Sequence, residues 1–106
     1  MPKFLWKGSY TTNGVKGVLK DGGTGRRDAV QKMIESAGGK MEAFYFAFGD
    51  AGVYVIADFP DNGSAAAVSA TVNASGAVEL GTVTLLTPEE VDEAVKKSVD
   101  YRAPGG

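Results

Sequence analysis

Hydrophobic side chains recur with two different spacings along the chain, and these spacings predict an ordered series of strands and helices. Alternation with period two, typical of strands, marks four segments: residues 3–10, 40–48, 53–59 and 77–86. Apolar residues at i, i+3 and i+4, typical of amphipathic helices, mark three stretches: 15–37, 65–74 and the residues after Thr87. The predicted order is strand, helix, strand, strand, helix, strand, helix.

Glycines and capping residues predict where the helices begin and end. The glycine pair at 22–23 interrupts the first helical stretch, so we expect two helices within one connection, and the pair at 38–39 ends the second of them. Thr87, Pro88 and Glu90 fit a capping box with proline at the first helical position. The helix that starts there should carry an apolar stripe: Val91, Ala94, Val95 and Val99.

This order of elements predicts an α+β fold of the ferredoxin-like type. The order βαββαβ, followed by a C-terminal helix, is the split βαβ arrangement, a four-stranded antiparallel sheet covered by helices on one face only. At 106 residues the chain has room for one domain. We expect that domain to span residues 1–106, with an irregular tail at 100–106, and its first and third strands to be central neighbours.

The predicted strands carry large apolar side chains on both faces, more than a sheet with one face in water needs. On the second strand, Phe44, Phe46 and Phe48 share one face, and Met41 and Tyr45 share the other. We therefore expect the uncovered face to be buried by a second copy of the chain, in a homodimer or higher oligomer. The alternative is that the last helix covers this face within one subunit.

Two consecutive segments, residues 41–50 and 53–58, resemble the signature hairpin of the GYD domain family. Four further segments are similar to that family in order and spacing: residues 3–7, 38–40, 73–76 and 86–92. The resemblance implies a small bacterial or archaeal protein of the dimeric α/β barrel type. It implies no particular reaction, because no biochemical function is established for that family.

The composition excludes several classes of function. The chain contains no histidine and no cysteine, which excludes histidine-dependent triads, thiol enzymes and zinc sites, and we expect neither a cofactor nor a metal. A net charge of −2 provides no basic field, so we expect neither nucleic acid nor membrane as a partner. The sequence shows no secretion signal and no apolar run of membrane-spanning length, which predicts a cytoplasmic protein.

Five polar residues on the predicted strands are candidates for ligand binding: Lys7, Tyr10, Tyr45, Tyr54 and Asp58. Because the first and third strands are expected to be neighbours, Lys7 and Asp58 could face each other. An ammonium and a carboxylate in apolar surroundings shift each other's pKa, and such a pair could orient an anionic or phenolic ligand. The alternative is a structural ion pair, or two residues near opposite strand ends.

A second candidate site is the glycine-rich turn at 22–27. Arg26 and Arg27, together with the backbone amides at the start of the following helix, are candidates for holding an anion such as phosphate. The turn lacks the third glycine of a dinucleotide fingerprint and the Gly-Lys-Ser or Gly-Lys-Thr of a P-loop, so a hinge followed by a solvated basic turn is the alternative.

Two hypotheses of function remain. The first is a homo-oligomeric module, without catalysis, that binds a small ligand or a partner. The alternative is a cofactor-independent enzyme of the dimeric α/β barrel type that acts on a small aromatic or carbonyl compound, with proton transfer through Asp58, Lys7 or a tyrosine. The sequence assigns no catalytic residue, and the absence of histidine favours the first hypothesis.

Overall fold

The computed structural model describes residues 1–49 and 51–106, and its elements follow the predicted order. These described residues form seven elements: β1 (Lys3–Tyr10), α1 (Thr12–Ser36), β2 (Lys40–Phe46), β3 (Val53–Asp58), α2 (Asn62–Ala74), β4 (Val78–Leu85) and α3 (Pro88–Val95). The strands make one antiparallel sheet in the order β2-β3-β1-β4. The α+β, ferredoxin-like prediction is therefore confirmed, with β1 and β3 as central neighbours.

The core lies between the sheet and the two longer helices. Period-two alternation points the same side of each central strand at the helices, so Phe4 and Trp6 of β1 and Val55 of β3 are buried. Ile34 of α1 and Val68 of α2 are buried against them. An aromatic contact also belongs to this core: the ring centroids of Trp6 and Phe59, which directly follows β3, lie 5.3 Å apart.

Helix α1 is interrupted where the glycine pair predicted a break. Gly22 has φ 75° and ψ 168°, a backbone conformation that only glycine adopts at little cost, so two helical segments meet there. The first segment begins at the cap residue Thr11, whose hydroxyl also donates to the carbonyl oxygen of Gly76 at 2.9 Å. Gly14 packs closely on the backbone at Ala77, which fixes the start of α1 against the start of β4.

Strand β2 differs from its predicted pattern because it contains a bulge. The pairing partners shift between Met41, opposite Ala57, and Ala43, opposite Ile56, so that one extra residue stands between them. Met41 consequently packs against the core, and the prediction that it shares a face with Tyr45 is wrong. The strand also ends at Phe46, so the predicted extension to residue 48 is wrong; part of the predicted hairpin turn, Asp50, lies outside the described residues.

The C-terminal segment extends away from the rest of the chain. Helix α3 has the predicted capping box at Thr87 but ends at Val95, so the prediction that Val99 belongs to its stripe is wrong. Every residue from 88 to 106 is exposed, and α3 therefore does not cover the free face of the sheet. The radius of gyration is 16.7 Å, against about 13 Å for a compact chain of this length.

Candidate functional site

The sheet face away from the helices, which we call the open face, has an apolar row between two more polar rows. Strand register aligns four residues across the whole sheet in the central row: Ala43, Ile56, Leu5 and Val83. Their partial exposure is consistent with a face that no element of the described chain covers. An apolar centre with a polar rim is the anatomy of a protein–protein interface.

Three of the predicted ligand residues lie together in one flanking row of the open face. Tyr54 is directly opposite Lys7 on one side and Tyr45 on the other. Asp58 lies four residues farther along β3, about 13 Å away at the usual rise of a strand, and its partner on β1 is Lys3. The prediction that Lys7 faces Asp58 is therefore wrong.

Asp58 instead belongs to an ion-paired cluster at one end of the open face. The Lys3 ammonium lies 3.1 Å from Oδ1 of Asp58 and also contacts the carboxylate of Glu42. Hydrogen bonding to Glu42, then to Asp58, raises the pKa of Lys3 above its usual value. With Lys3 held between two carboxylates, the cluster is satisfied internally and has the character of a structural ion pair.

A cavity of about 400 Å³ lies on the opposite side of the sheet, between the strands, α1 and α2. We call it the helix-side cavity. Most of its wall is apolar, and the side chains that dominate it come from all of these elements: Val30, Met33, Phe44, Val55, Val72 and Leu80. A volume of this size is within the range of small-molecule sites.

Tyr10 and Arg26, predicted as parts of two separate sites, meet at this cavity. Both line it, and the Arg26 guanidinium approaches the Tyr10 hydroxyl. Burial raises the pKa of Tyr10, and the positive charge of Arg26 offsets only part of that effect. Tyr10 is thus separated by the sheet from Lys7, Tyr45 and the other predicted ligand residues.

The two arginines of the predicted anion site have different surroundings. Arg26 lies 3.7 Å from the carboxylate of Asp21 and at the cavity, whereas Arg27 pairs with its neighbour Asp28 at 3.2 Å and is exposed. The two guanidinium groups therefore do not converge on one position where an anion could bind both. Only Arg26 remains available to a group bound in the cavity.

Trp6 is a candidate residue that the sequence reasoning missed. It lines the helix-side cavity, and its buried Nε1 has no hydrogen-bond partner among the described residues. An unpaired buried N–H costs free energy, but this nitrogen has almost no accessible surface, so a molecule in the cavity contacts the indole ring and not the N–H. The available signal was a tryptophan on the inward face of a predicted central strand, where its ring nitrogen needs a partner.

The described residues contain neither a cluster of metal ligands nor a membrane-spanning helix. Apart from the undescribed Asp50, no set of three or more acidic side chains is grouped to hold a metal ion. No helix within residues 1–49 and 51–106 combines the length and the hydrophobicity that a membrane crossing requires.

Comparison with known proteins identifies a family. The sequence model of the GYD domain matches residues 4–95, which includes the sheet except for its first residue, both longer helices and α3. No curated protein and no solved structure matches the chain. Because the match covers most of the 106 residues, the chain belongs to the GYD domain family.

Proposed function

We propose that this protein is a non-catalytic, homodimeric module that binds a small molecule in the helix-side cavity. The observation that carries the proposal is the cavity itself, about 400 Å³ with apolar walls and the polar groups of Arg26 and Tyr10 at one side. Apolar walls provide affinity through burial, and a small number of polar groups orient the ligand.

The second copy in this proposal packs on the open face. The chain exposes 7198 Å², whereas a compact protein of 11.0 kDa exposes about 5,600 Å². The excess is roughly twice the ~800 Å² that each partner buries in an interface of standard size. The apolar row through Ile56 and Leu5 is the natural centre of such an interface, and the C-terminal segment contributes further exposed apolar area at Val95 and Val99.

The geometry favours binding over the alternative of proton-transfer catalysis. The enzymatic hypothesis used Asp58, Lys7 or a tyrosine for proton transfer; Lys7 and Asp58 lie in different rows of the open face and cannot act together as an acid–base pair. Tyr10 is the titratable phenol at the cavity, and its raised pKa keeps the proton on its hydroxyl at neutral pH. A neutral phenol beside a guanidinium is suited to donating a hydrogen bond to a ligand.

Binding of an apolar dye provides the test. The only tryptophan, Trp6, lines the cavity, so its fluorescence reports on an occupant. We expect 1-anilinonaphthalene-8-sulfonate to bind saturably and quench Trp6. The variant Ala29→Phe, which fills space from α1, should weaken dye binding at least about tenfold by excluding apolar contact area.

The matched control is Ala67→Phe, the same change at an exposed position of α2 that does not line the cavity. It should leave the affinity unchanged. If Ala29→Phe binds the dye as tightly as Ala67→Phe, the dye is bound elsewhere and the proposed cavity function is refuted.

A further inference from the structure

We propose that the ligand of the helix-side cavity is a small monocarboxylate with an apolar body, such as a phenylalkanoic or medium-chain acid. This inference rests on the proposed binding function and assigns its chemical class. It is carried by the charge of the cavity lining, by the hydrogen-bonding capacity of its polar groups and by its size.

The charge of the lining selects for an anion. Of the described residues that line the cavity, Arg26 is the only charged one, and none is acidic. Its side chain is only 29% exposed, its contact with Asp21 at 3.7 Å is longer than a hydrogen bond, and the Tyr10 hydroxyl accepts from no more than part of its N–H donors. The donors of the guanidinium are therefore incompletely used, and a carboxylate matches their planar, forked geometry.

The hydrogen-bonding groups at the Arg26 end of the cavity are donors. The guanidinium can only donate, and Tyr10 keeps its hydroxyl proton at neutral pH, because the ordinary pKa of a phenol is 10.0 and burial raises it further. The hydroxyls of Thr71 and Ser75 donate to carbonyl oxygens of α2 at 2.8 and 2.7 Å, so they have no proton left to give to a ligand. The group of the ligand that lies beside Arg26 and Tyr10 is therefore an acceptor, which disfavours amines.

A single positive charge also separates a carboxylate from a phosphate. A phosphate monoester carries close to two negative charges at neutral pH, and Arg27, which could have supplied the second positive charge, pairs with Asp28 outside the cavity. The charge of Arg26, which Asp21 at 3.7 Å already offsets in part, suits a monoanion better than a dianion. We therefore assign a monoanion bound through Arg26, and not the phosphate for which the glycine-rich turn was a candidate.

The size and walls of the cavity define the rest of the ligand. At the packing density of protein interiors, about 20 non-hydrogen atoms would fill this volume completely, so a phenylalkanoic or medium-chain acid of about 10 to 15 such atoms fits within it. The walls contributed by Val30, Met33 and Phe44 hydrogen-bond to nothing, so the part of the ligand that contacts them is aromatic or aliphatic. The polar end is a single group at the Arg26 side.

Three probes of equal shape test this inference: 3-phenylpropionate, 3-phenylpropan-1-ol and 3-phenylpropylamine. Binding is measured by Trp6 quenching and calorimetry on the full chain. We expect the acid to bind at least about tenfold more tightly than the alcohol, because its carboxylate forms a charge-assisted hydrogen bond with Arg26. The amine should bind most weakly. Lowering the pH through the pKa of the acid should remove its advantage over the alcohol.

Arg26→Met provides the residue-level test, with Arg27→Met as the matched control. The first variant should equalise the acid and the alcohol while retaining alcohol binding, and the second should change neither. Equal binding of acid and alcohol by the unmodified protein would overturn the carboxylate assignment even if Ala29→Phe blocks both, in which case the cavity function stands. If none of the probes binds and Ala29→Phe leaves dye binding intact, the cavity function itself fails.

Discussion

Val83 offers the sharpest test of the open face as an interface between two copies. It lies in the apolar row on β4, is 43% exposed in the single chain, and is diagonal to Lys3 and Lys7 on β1. A glutamate at this position is tolerated by the monomer, because it remains in water between two lysines. In a dimer centred on the apolar row, the same carboxylate would be placed in the interface.

The expected magnitude follows from the symmetry of the interface. Burying a valine side chain contributes about 1.5 kcal/mol at the lower end of the usual range, and an isologous dimer contains the position twice. Losing both contributions, about 3 kcal/mol, raises the dissociation constant at least ~100-fold. Desolvation of two carboxylates would increase this effect further.

Sedimentation velocity over a range of concentrations measures it directly. We expect the unmodified protein to sediment with twice the chain mass of 11.0 kDa and Val83→Glu to sediment as a monomer at the same concentration. Thr82→Glu is the control, because Thr82 is the neighbouring residue on the same strand, is also exposed, and points to the opposite face.

Either of two results would refute this reasoning. A monomeric mass for the unmodified protein at every concentration would remove the second copy from the open face. A dimer that survives equally in Val83→Glu and Thr82→Glu would show that the copies meet through another surface, such as the C-terminal segment.

Two further predictions concern the fold. Gly14→Ala should destabilise the protein by at least about 2 kcal/mol in urea unfolding, because the new Cβ would lie 2.0 Å from the carbonyl oxygen of Ala77. The control is Gly17→Ala, three residues along the same helix with nothing within 4 Å of its Cβ, which should instead stabilise by up to about 1 kcal/mol. Equal effects of the two substitutions would contradict the close approach of Gly14 to Ala77. The raised pKa of Lys3 makes its contribution to stability fully present below the unfolded value of 10.5 and lost as pH rises through the higher folded value. The urea midpoint should therefore fall more steeply above about pH 10 for the unmodified protein than for Lys3→Met, and parallel curves would contradict the assignment.

The faces of β1 could be predicted from the sequence because its alternation is uninterrupted. Phe4 and Trp6 point to the helices and Leu5 and Lys7 away from them, as period two requires. The break in α1 was predictable for a similar reason, since two adjacent glycines weaken a helix locally. Neither inference depends on any contact that is distant in the sequence.

The pairing register of β1 and β3 could not be predicted. These strands are not joined by a hairpin, so no turn length fixes which residues are opposite one another, and the expected partner of Asp58 was Lys7 instead of Lys3. The meeting of Tyr10 and Arg26 escaped prediction because it depends on how the second segment of α1 lies across the sheet after the break at Gly22.

The bulge in β2 changes what the gain or loss of a residue means at this point of the chain. A one-residue insertion in a regular strand turns every later side chain to the other face, which would be fatal to a core containing Phe44. Here the extra residue is Glu42, and the strand absorbs it locally, so that Met41 and Phe44 both pack on the core side. Deleting Glu42 would therefore leave a regular strand with the same side chains on the core side. The residue supplies a carboxylate for Lys3 without fixing the face of any other side chain of β2.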